Sequence, residues 1–478
     1  MSRSQSPPQS TRQDTLVEDA DAPSSASPPN PLARQISEKS VPDDPYLIAF
    51  DFEDSRDPRQ WSSRKKWFQL FVYLLPEIWA QVISSMFAPA SNGASSDVGV
   101  SEAAMRTVQA IYLYGLAVGP IVVAPVSEDY GRRYILLLSI AIIGLCQIPC
   151  ALAGSIALML PFRFVAGFFA ATTFNVVGVV ADLWDTPDQG WGVNCFALAA
   201  EAGAYLGTVI GGYIYQYHGW QWTFGVGGIV MAFVTGVTLV LAIETRGGVI
   251  LSRLAAKKRK ETGDDRFYCA HEREVSAKTW KSRFTETLGR PVWMLITEPI
   301  VVATSFYDGL NYMIIYGFII GFELVYGNVY NFTVGQANLP FFAVFFGAIL
   351  GFAALPFQQA VERRAARKAP NGEPEPEVRL AWLVTSPLFP ISLFWFAWTA
   401  IPSVHWASSV VAAGMFGFVS HIIFVAVSDY TASCYSLYAA SAIGAQSLFR
   451  EVLSGSFTLF TVQMVSIDRI ISRDSSLY

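Results

Sequence analysis

The sequence predicts an all-α polytopic membrane protein, and three observations carry that expectation. Of 478 residues, 52% are apolar and 15% charged, with a mean hydropathy of +0.36. Soluble domains carry about a quarter charged residues. The apolar residues gather in stretches long enough to cross a bilayer, which takes roughly 20 residues per helix. Most cations lie between those stretches, so the net charge of −5 hides a strong segregation. This composition excludes a soluble enzyme, a nucleic-acid binder and a disordered chain. No phosphate-binding glycine loop occurs, and the four histidines do not pair at helical spacing. ATP-driven pumping and an intramembrane metal centre are therefore unsupported. The five cysteines suggest no external disulfide framework.

Residues 1–60 are rich in Ser, Pro, Asp, Gln and Arg and read as a disordered tail. They contain no apolar core of a cleavable signal. Apolar spans follow at about 67–90, 106–126, 134–153, 158–181, 193–215 and 221–243. A basic loop occupies 244–294, and five further spans read about 295–322, 335–356, 380–401, 406–428 and 435–464. Their length and their lack of strict alternation exclude strands. The chain thus divides into an N-terminal bundle over 61–243, the loop, a C-terminal bundle over 295–464 and a charged tail over 465–478.

Lys and Arg bias sets orientation. Arg64, Lys65 and Lys66 precede the first span, Arg132 and Arg133 separate spans two and three, and Arg363, Arg364, Arg367 and Lys368 follow span eight. Twelve cations lie between Arg246 and Arg290. All of these fall on one side when the N-terminus is cytoplasmic. The central loop reads as a topogenic linker with a short surface helix, or as a site for anionic lipid or a partner.

Charged and polar residues inside the spans are the functional candidates. In the loop after span two, Glu128, Gly131, Arg132 and Arg133 form either a charge latch at a glycine turn or simple topogenic charge. Arg163, a few residues into span four, faces a cavity or partner, or snorkels to the interface. Gly203, Gly207 and Gly211 share one face of span five and admit a close neighbouring helix; Gly212 adjoins them. Glu201 lies in the same span and could carry a proton or a cationic group. Glu77, Gln81, Asn175, Asp308, Asn311, Tyr312, His421, Arg450 and Glu451 complete the set.

These motifs in order resemble fungal members of the major facilitator superfamily, in the twelve-span drug:proton antiporter family. The resemblance runs from about Trp61 to Met464. It is carried by Ser85 to Pro89, the Pro125 to Arg133 loop, Arg163 with Gly167, Ala181 to Trp184, Gly219 to Phe224, Glu244 with Thr245, Pro376 to Leu380, Leu393 to Trp398, Leu437 to Ser441 and Phe449 with Arg450. It implies a major facilitator fold of two six-helix halves. Here the twelfth helix is missing, because the tail beyond Met464 is too short and charged to span. Span five also lacks the family's Gly-Pro pairs, with Ala204 and Thr208 after its glycines. Gln189 and Gln221 stand where the family carries arginines.

The resemblance implies a proton-coupled exporter of a small, largely apolar organic compound, such as a fungal specialised metabolite or a drug, working by alternating access. Arg163, Glu77, Glu201 and Asp308 would couple protons. Gln81, Asn175, Tyr205, Asn311, Tyr312 and His421 would line the substrate cavity. Glu128, Gly131, Arg132, Arg133 and Asp182 would form the inner gate. The alternatives are an importer or polyamine carrier of the same fold, and a non-transporting sensor or inactive truncated product. The expected partners are a small molecule, protons and the bilayer, with no cofactor and no nucleic acid. A monomer in the plasma membrane is expected.

Overall fold

A computed structural model describes residues 44–51, 54–185, 189–277, 289–369, 375–435 and 438–474, with side chains up to residue 461 except that of Ala440. The expected N-terminal tail up to residue 43 and the last four residues lie outside the described residues. Among the described residues all regular structure is helical. Residues Ile48–Tyr478 form one compact unit.

Among the described residues, ten helices are long and apolar enough to cross a membrane. They are α1 (Ser63–Val98), α2 (Glu102–Tyr130), α3 (Arg132–Ala151), α4 (Ile156–Leu183), α5 (Gly190–His218), α6 (Gln221–Leu241), α7 (Pro299–Gly327), α8 (Val334–Ala366), α9 (Pro376–Thr399) and α10 (Trp406–Tyr435). The last helix, α11 (Ala439–Asp474), carries Arg450 and Glu451 in its interior and runs beyond the expected span end at 464. It overlaps the eleventh expected span from Ala439 onward.

Local chemistry sets the boundaries. The Ser101 hydroxyl caps α2 by accepting from the Ala104 amide at 3.2 Å. Gly131, at φ 108°, ends α2 and starts α3 with no intervening residue, a conformation that disfavours any side chain. The expected span from 295 is interrupted. A helix over Arg290–Thr297 stops at Glu298, which is extended (φ −100°, ψ 105°), and α7 restarts at Pro299. Proline disfavours helical geometry in the residue before it. Inside α4 a tighter turn over Ala171–Asn175 interrupts the α-helical ladder, and α8 is relayed through Ala354 into Pro356.

Close helix approach relies on missing side chains. A Cβ on Gly203, Gly207 or Gly211 would strike the carbonyls of Ile78, Val82 or Met86, so α5 lies backbone to backbone along α1. Gly167 brings α4 equally close to the Tyr112 carbonyl of α2. Gly212 points elsewhere, toward Asn338 of α8.

Polarity is reversed relative to a soluble protein. Phe71, Leu145, Phe233, Val240, Phe346 and Trp398 are more than half exposed, while Glu77, Arg163, Glu201, Asp308, Arg450 and Glu451 are buried. An apolar exterior around a charged interior suits a bilayer. The helices α1–α6 meet α7–α11 along four lines of contact. Ser84 of α1 bonds Tyr316 of α7 at 3.2 Å, and Tyr114 of α2 bonds Ser456 of α11 at 3.0 Å. The Gln216 side chain of α5 accepts from the Gly335 amide of α8 at 2.9 Å. The fourth joins Asn194 and Glu201 of α5 to α8 and α10 and is part of the site below.

The central loop is more structured than the expected linker with one surface helix. Helices Gly247–Thr262 and Ala270–Ala277 fold together. Arg259 donates to both carboxylate oxygens of Glu272, at 2.9 and 3.0 Å, and these bonds hold Glu272 below the usual carboxylate range. A lowered carboxylate pKa stabilises above the unfolded value and loses that effect as pH falls through the folded one. Amide protection over Ala270–Ala277, taken as the exchange rate relative to the intrinsic rate at the same pH, is therefore expected to be higher at pH 6 than near pH 3. Arg259→Ala should show low protection at both, and wild-type protection in the variant at pH 6 would contradict the assignment. Residues 278–288 lie outside the described residues.

Candidate functional site

Two buried polar clusters sit where α5, α7, α10 and α11 converge. Arg450 of α11 is the hub of the first. Its guanidinium reaches Asp308 of α7 at 3.3 Å and Glu451 at 3.1 Å. Its flat face lies 4.3 Å from the Tyr312 ring centroid and 5.0 Å from that of Phe424 of α10, with Phe174 of α4 at 5.9 Å. A planar cation can bridge two carboxylates and stack on aromatic faces at once. Asp308 Oδ1 and Glu451 Oε2 remain without hydrogen-bond partners. Glu77 of α1 lies within electrostatic reach of Arg450 and Glu451 and accepts from Gln81, one turn along, at 3.2 Å.

His421 of α10 is the hub of the second cluster. One ring nitrogen, Nδ1, lies 2.9 Å from Glu201 Oε2, and the other, Nε2, lies 2.9 Å from Asn194 Oδ1. Both partners are on α5. The Asn194 amide nitrogen donates to the Phe352 carbonyl of α8 at 3.3 Å. All three polar side chains are fully buried or nearly so. Beside them, Asn311 of α7 donates to the Ser420 carbonyl at 3.2 Å. Glu201 Oε1 and Asn311 Oδ1 have no hydrogen-bond partner. Tyr205 is buried one turn from Glu201, with its ring 6.1 Å from that of Phe341.

Arg163 stands apart from both clusters. It is fully buried, so it does not snorkel. It donates to the Val108 carbonyl of α2 at 3.2 Å and to the Ile83 carbonyl of α1 at 3.3 Å. Its cation lies 4.5 Å from the Tyr112 ring centroid and 5.5 Å from that of Phe224. No carboxylate pairs with it among the described residues, so backbone dipoles and aromatic faces hold the charge. Ile83 lies in the last turn of the Ser63–Ser85 helix, where carbonyls carry the negative end of the dipole.

The Gly131 turn lies at the far end of α2. Arg132 donates to Asp182 at 3.3 Å, to the Ser127 hydroxyl at 2.9 Å and to Glu128 at 3.4 Å. Arg246 shares Asp182 at 3.1 Å. The centre of this network is Glu244, which accepts from the backbone amides of Arg132, Arg133, Thr245 and Arg246 between 2.9 and 3.3 Å. The Arg133 side chain donates to the Leu239 carbonyl at 2.9 Å. This network ties α2, α3, α4 and the end of α6.

The structure therefore gathers Asp308, Tyr312, Asn311, Glu201, Tyr205 and His421 in one region, with Glu77 and Gln81 on its α1 side. Asn175 lies in the α4 break, with its amide nitrogen unpartnered. Glu128, Gly131, Arg132, Arg133 and Asp182 share a separate network. Several participants carry no role assigned from sequence: Arg450 and Glu451 stand there only as polar residues inside a span, and Asn194 and Glu244 are absent from the site set. Asn194 is seven positions before Glu201 and thus on the same helix face, a signal that was readable. Glu244 follows an apolar span directly, and only the fold brings four amides to it.

Comparison with known proteins agrees with this architecture. Residues 79–458 match the family described as "Major Facilitator Superfamily". The chain is 31% identical over 429 residues to "Efflux pump radE" of Floropilus chiversii, covering 88% of this chain and 79% of that protein. It is 32% identical over 433 residues to "Citrinin biosynthesis cluster MFS transporter mrr1" of Monascus ruber, covering 89% and 86%. Among solved structures, the xylose transporter XylE of E. coli in a partially occluded inward-open conformation superposes with a TM-score of 0.52. That match covers 83% of this chain and 92% of the other at 14% identity, and so concerns the fold. The helical architecture, the match over most of the sequence and these relatives place the chain in the Major Facilitator Superfamily, a family of transporters rather than enzymes.

Proposed function

We propose that this protein exports a small, largely apolar organic compound in exchange for protons. Alternating access between α1–α6 and α7–α11 would carry the compound across the membrane. The observation that carries this reading is the set of buried carboxylates where the two groups of helices meet. Glu201, Asp308 and Glu451 each keep one oxygen without a partner. Such an oxygen is costly unless it takes a proton or a substrate donor. Tyr312, Phe424 and Phe174 supply apolar walls beside it. The named efflux pump and the biosynthesis-cluster transporter among the relatives support the outward direction and a specialised metabolite as cargo. Charge bias supports a cytoplasmic N-terminus, with the Gly131 network on the same side as a gate, in a plasma-membrane protein.

One observation favours a second reading, a carrier of organic cations. Glu77, Asp308, Glu201 and Glu451 outnumber Arg450 in this region, and aromatic faces also hold cations.

Metabolite profiling of cells and medium tests the first reading. A strain lacking this chain should retain one compound class, and complementation should return it to the medium. A protonophore should abolish that return. Unchanged export with the protonophore would remove proton coupling, and uptake instead of release would reverse the direction. Arg163→Ala, expressed at wild-type level, is expected to lower export at least tenfold. An unchanged rate would assign Arg163 to packing alone.

A further inference from the structure

We infer that His421, Glu201 and Asn194 form a clasp between α10 and α5 that closes only when it holds one proton. This deepens the reading above, because it names the residues that would tie proton release to helix movement.

The argument starts at Phe352. Its carbonyl would ordinarily accept from the amide four residues on, but that residue is Pro356, which has no N–H. The Asn194 amide nitrogen fills this position at 3.3 Å. Turning the amide over would set oxygen against oxygen, so Asn194 Oδ1 is the atom that faces His421. Oδ1 can only accept. Nε2, 2.9 Å away, must therefore carry a hydrogen.

With Nε2 protonated, Nδ1 bears a lone pair unless a second proton is present. Glu201 Oε2 lies 2.9 Å from it. An ionised carboxylate against a bare nitrogen would press two lone pairs together in a buried site. The contact closes only with one proton between them, either on Nδ1 as imidazolium with carboxylate or on Glu201 as neutral acid with neutral imidazole. The pair is neutral in both arrangements. When the proton leaves to water, Glu201 becomes a carboxylate, His421 stays protonated at Nε2, and the pair carries one negative charge. Two acceptors then face each other, and α10 separates from α5.

Other charged and titratable groups face the pair. On α7, Asp308 lies near Glu201 and pairs with Arg450 of α11 at 3.3 Å. Glu451 of α11 and Tyr312 of α7 flank Arg450. On α5, Tyr205 neighbours Glu201. Helix α8 meets the His421 side chain with Gly351 and Asn194 with the Phe352 carbonyl. Arg379 of α9 pairs with Asp429, two turns further along α10. Asn194 is a positioning residue: it moves no proton but decides which ring nitrogen of His421 carries the hydrogen.

The test uses the full chain in lipid nanodiscs with ¹⁵N-histidine. The chain has four histidines, so His421→Gln assigns the signal. We expect Nε2 of His421 to be protonated across the accessible pH range, with Nδ1 strongly hydrogen-bonded at low pH. Asn194→Ala should allow the other tautomer. A wild-type His421 that carries its proton on Nδ1 alone overturns the proposal. Helix separation is read by spin labels at Gly190 of α5 and Ser433 of α10, with the native cysteines replaced. Above its midpoint the clasped population should fall about tenfold per pH unit, as one-proton linkage requires. Glu201→Gln, which keeps a donor for Nδ1, should hold the clasp closed at every pH. A Glu201→Gln chain that opens with the wild-type profile also overturns the proposal. If the clasp titrates while export ignores a protonophore, the proton-coupled part of the exporter reading fails and the clasp stands. If export needs the proton gradient while the clasp stays closed at all pH, the clasp alone fails.

Discussion

Arg450→Ala is expected to be among the most damaging single substitutions in this protein. The guanidinium is the only cation among the described residues that contacts Asp308 and Glu451 within hydrogen-bond distance. Its removal leaves two buried carboxylates beside each other and exposes the faces of Tyr312 and Phe424. Breaking a buried ion pair from one side costs about 3–5 kcal/mol. Thermal unfolding in nanodiscs should show that loss as a markedly lower midpoint, and export should be absent. Arg450→Lys should recover part of the stability and little of the export, because an ammonium cannot bridge two carboxylates while stacking on two rings. The double variant Arg450→Ala/Asp308→Asn should regain stability over the single change without regaining export. That split separates the structural role of the charge from its place in the site. A single variant with the wild-type midpoint would show that the pair contributes nothing net.

Gly167→Val is expected to prevent folding altogether. The added Cβ would fall inside contact distance of the Tyr112 carbonyl on α2, and that atom is backbone, so no side-chain rotation relieves it. Helix association in a bilayer depends on such close packing, because lipid provides no hydrophobic drive between helices. The displaced α4 would also carry Arg163 away from the Val108 and Ile83 carbonyls. Size-exclusion chromatography of the expressed chain should show aggregate or no protein. Gly236→Val on α6 is the control. No atom lies within 4 Å of its added Cβ, and this chain should elute as wild type. A monodisperse Gly167→Val protein would mean that α2 and α4 can separate without loss of the fold.

The spans were legible because each needs a long apolar stretch, and only helices satisfy their backbone within such a stretch. Glu298 marks where that reading failed. Hydropathy runs through it, and the local effect of Pro299 breaks the helix. The glycine face of α5 was also legible, since a spacing of four places Gly203, Gly207 and Gly211 on one side whatever the neighbour. That the neighbour is α1, at Ile78, Val82 and Met86, could not be read. The site shows the same division. Glu201, Asp308 and His421 were identifiable one by one as polar residues in apolar spans. Arg163 was identifiable too, but not its pairing with carbonyls rather than with an acid.

The sequence by itself determined the placement of the apolar spans, the membrane class, the Gly131 turn and the set of polar residues available for transport. These follow from composition and local spacing, which act within one or two turns of chain. Only the tertiary structure decided which of those residues meet in a hydrogen bond or an ion pair. Arg450 meets Asp308 across 142 positions, and His421 meets Glu201 across 220. Glu244 gathers amides from more than 110 positions away. Hydropathy is a sum along the chain, whereas hydrogen bonds and ion pairs depend on direction and on distances of about 3 Å. Those distances exist only after the helices have packed.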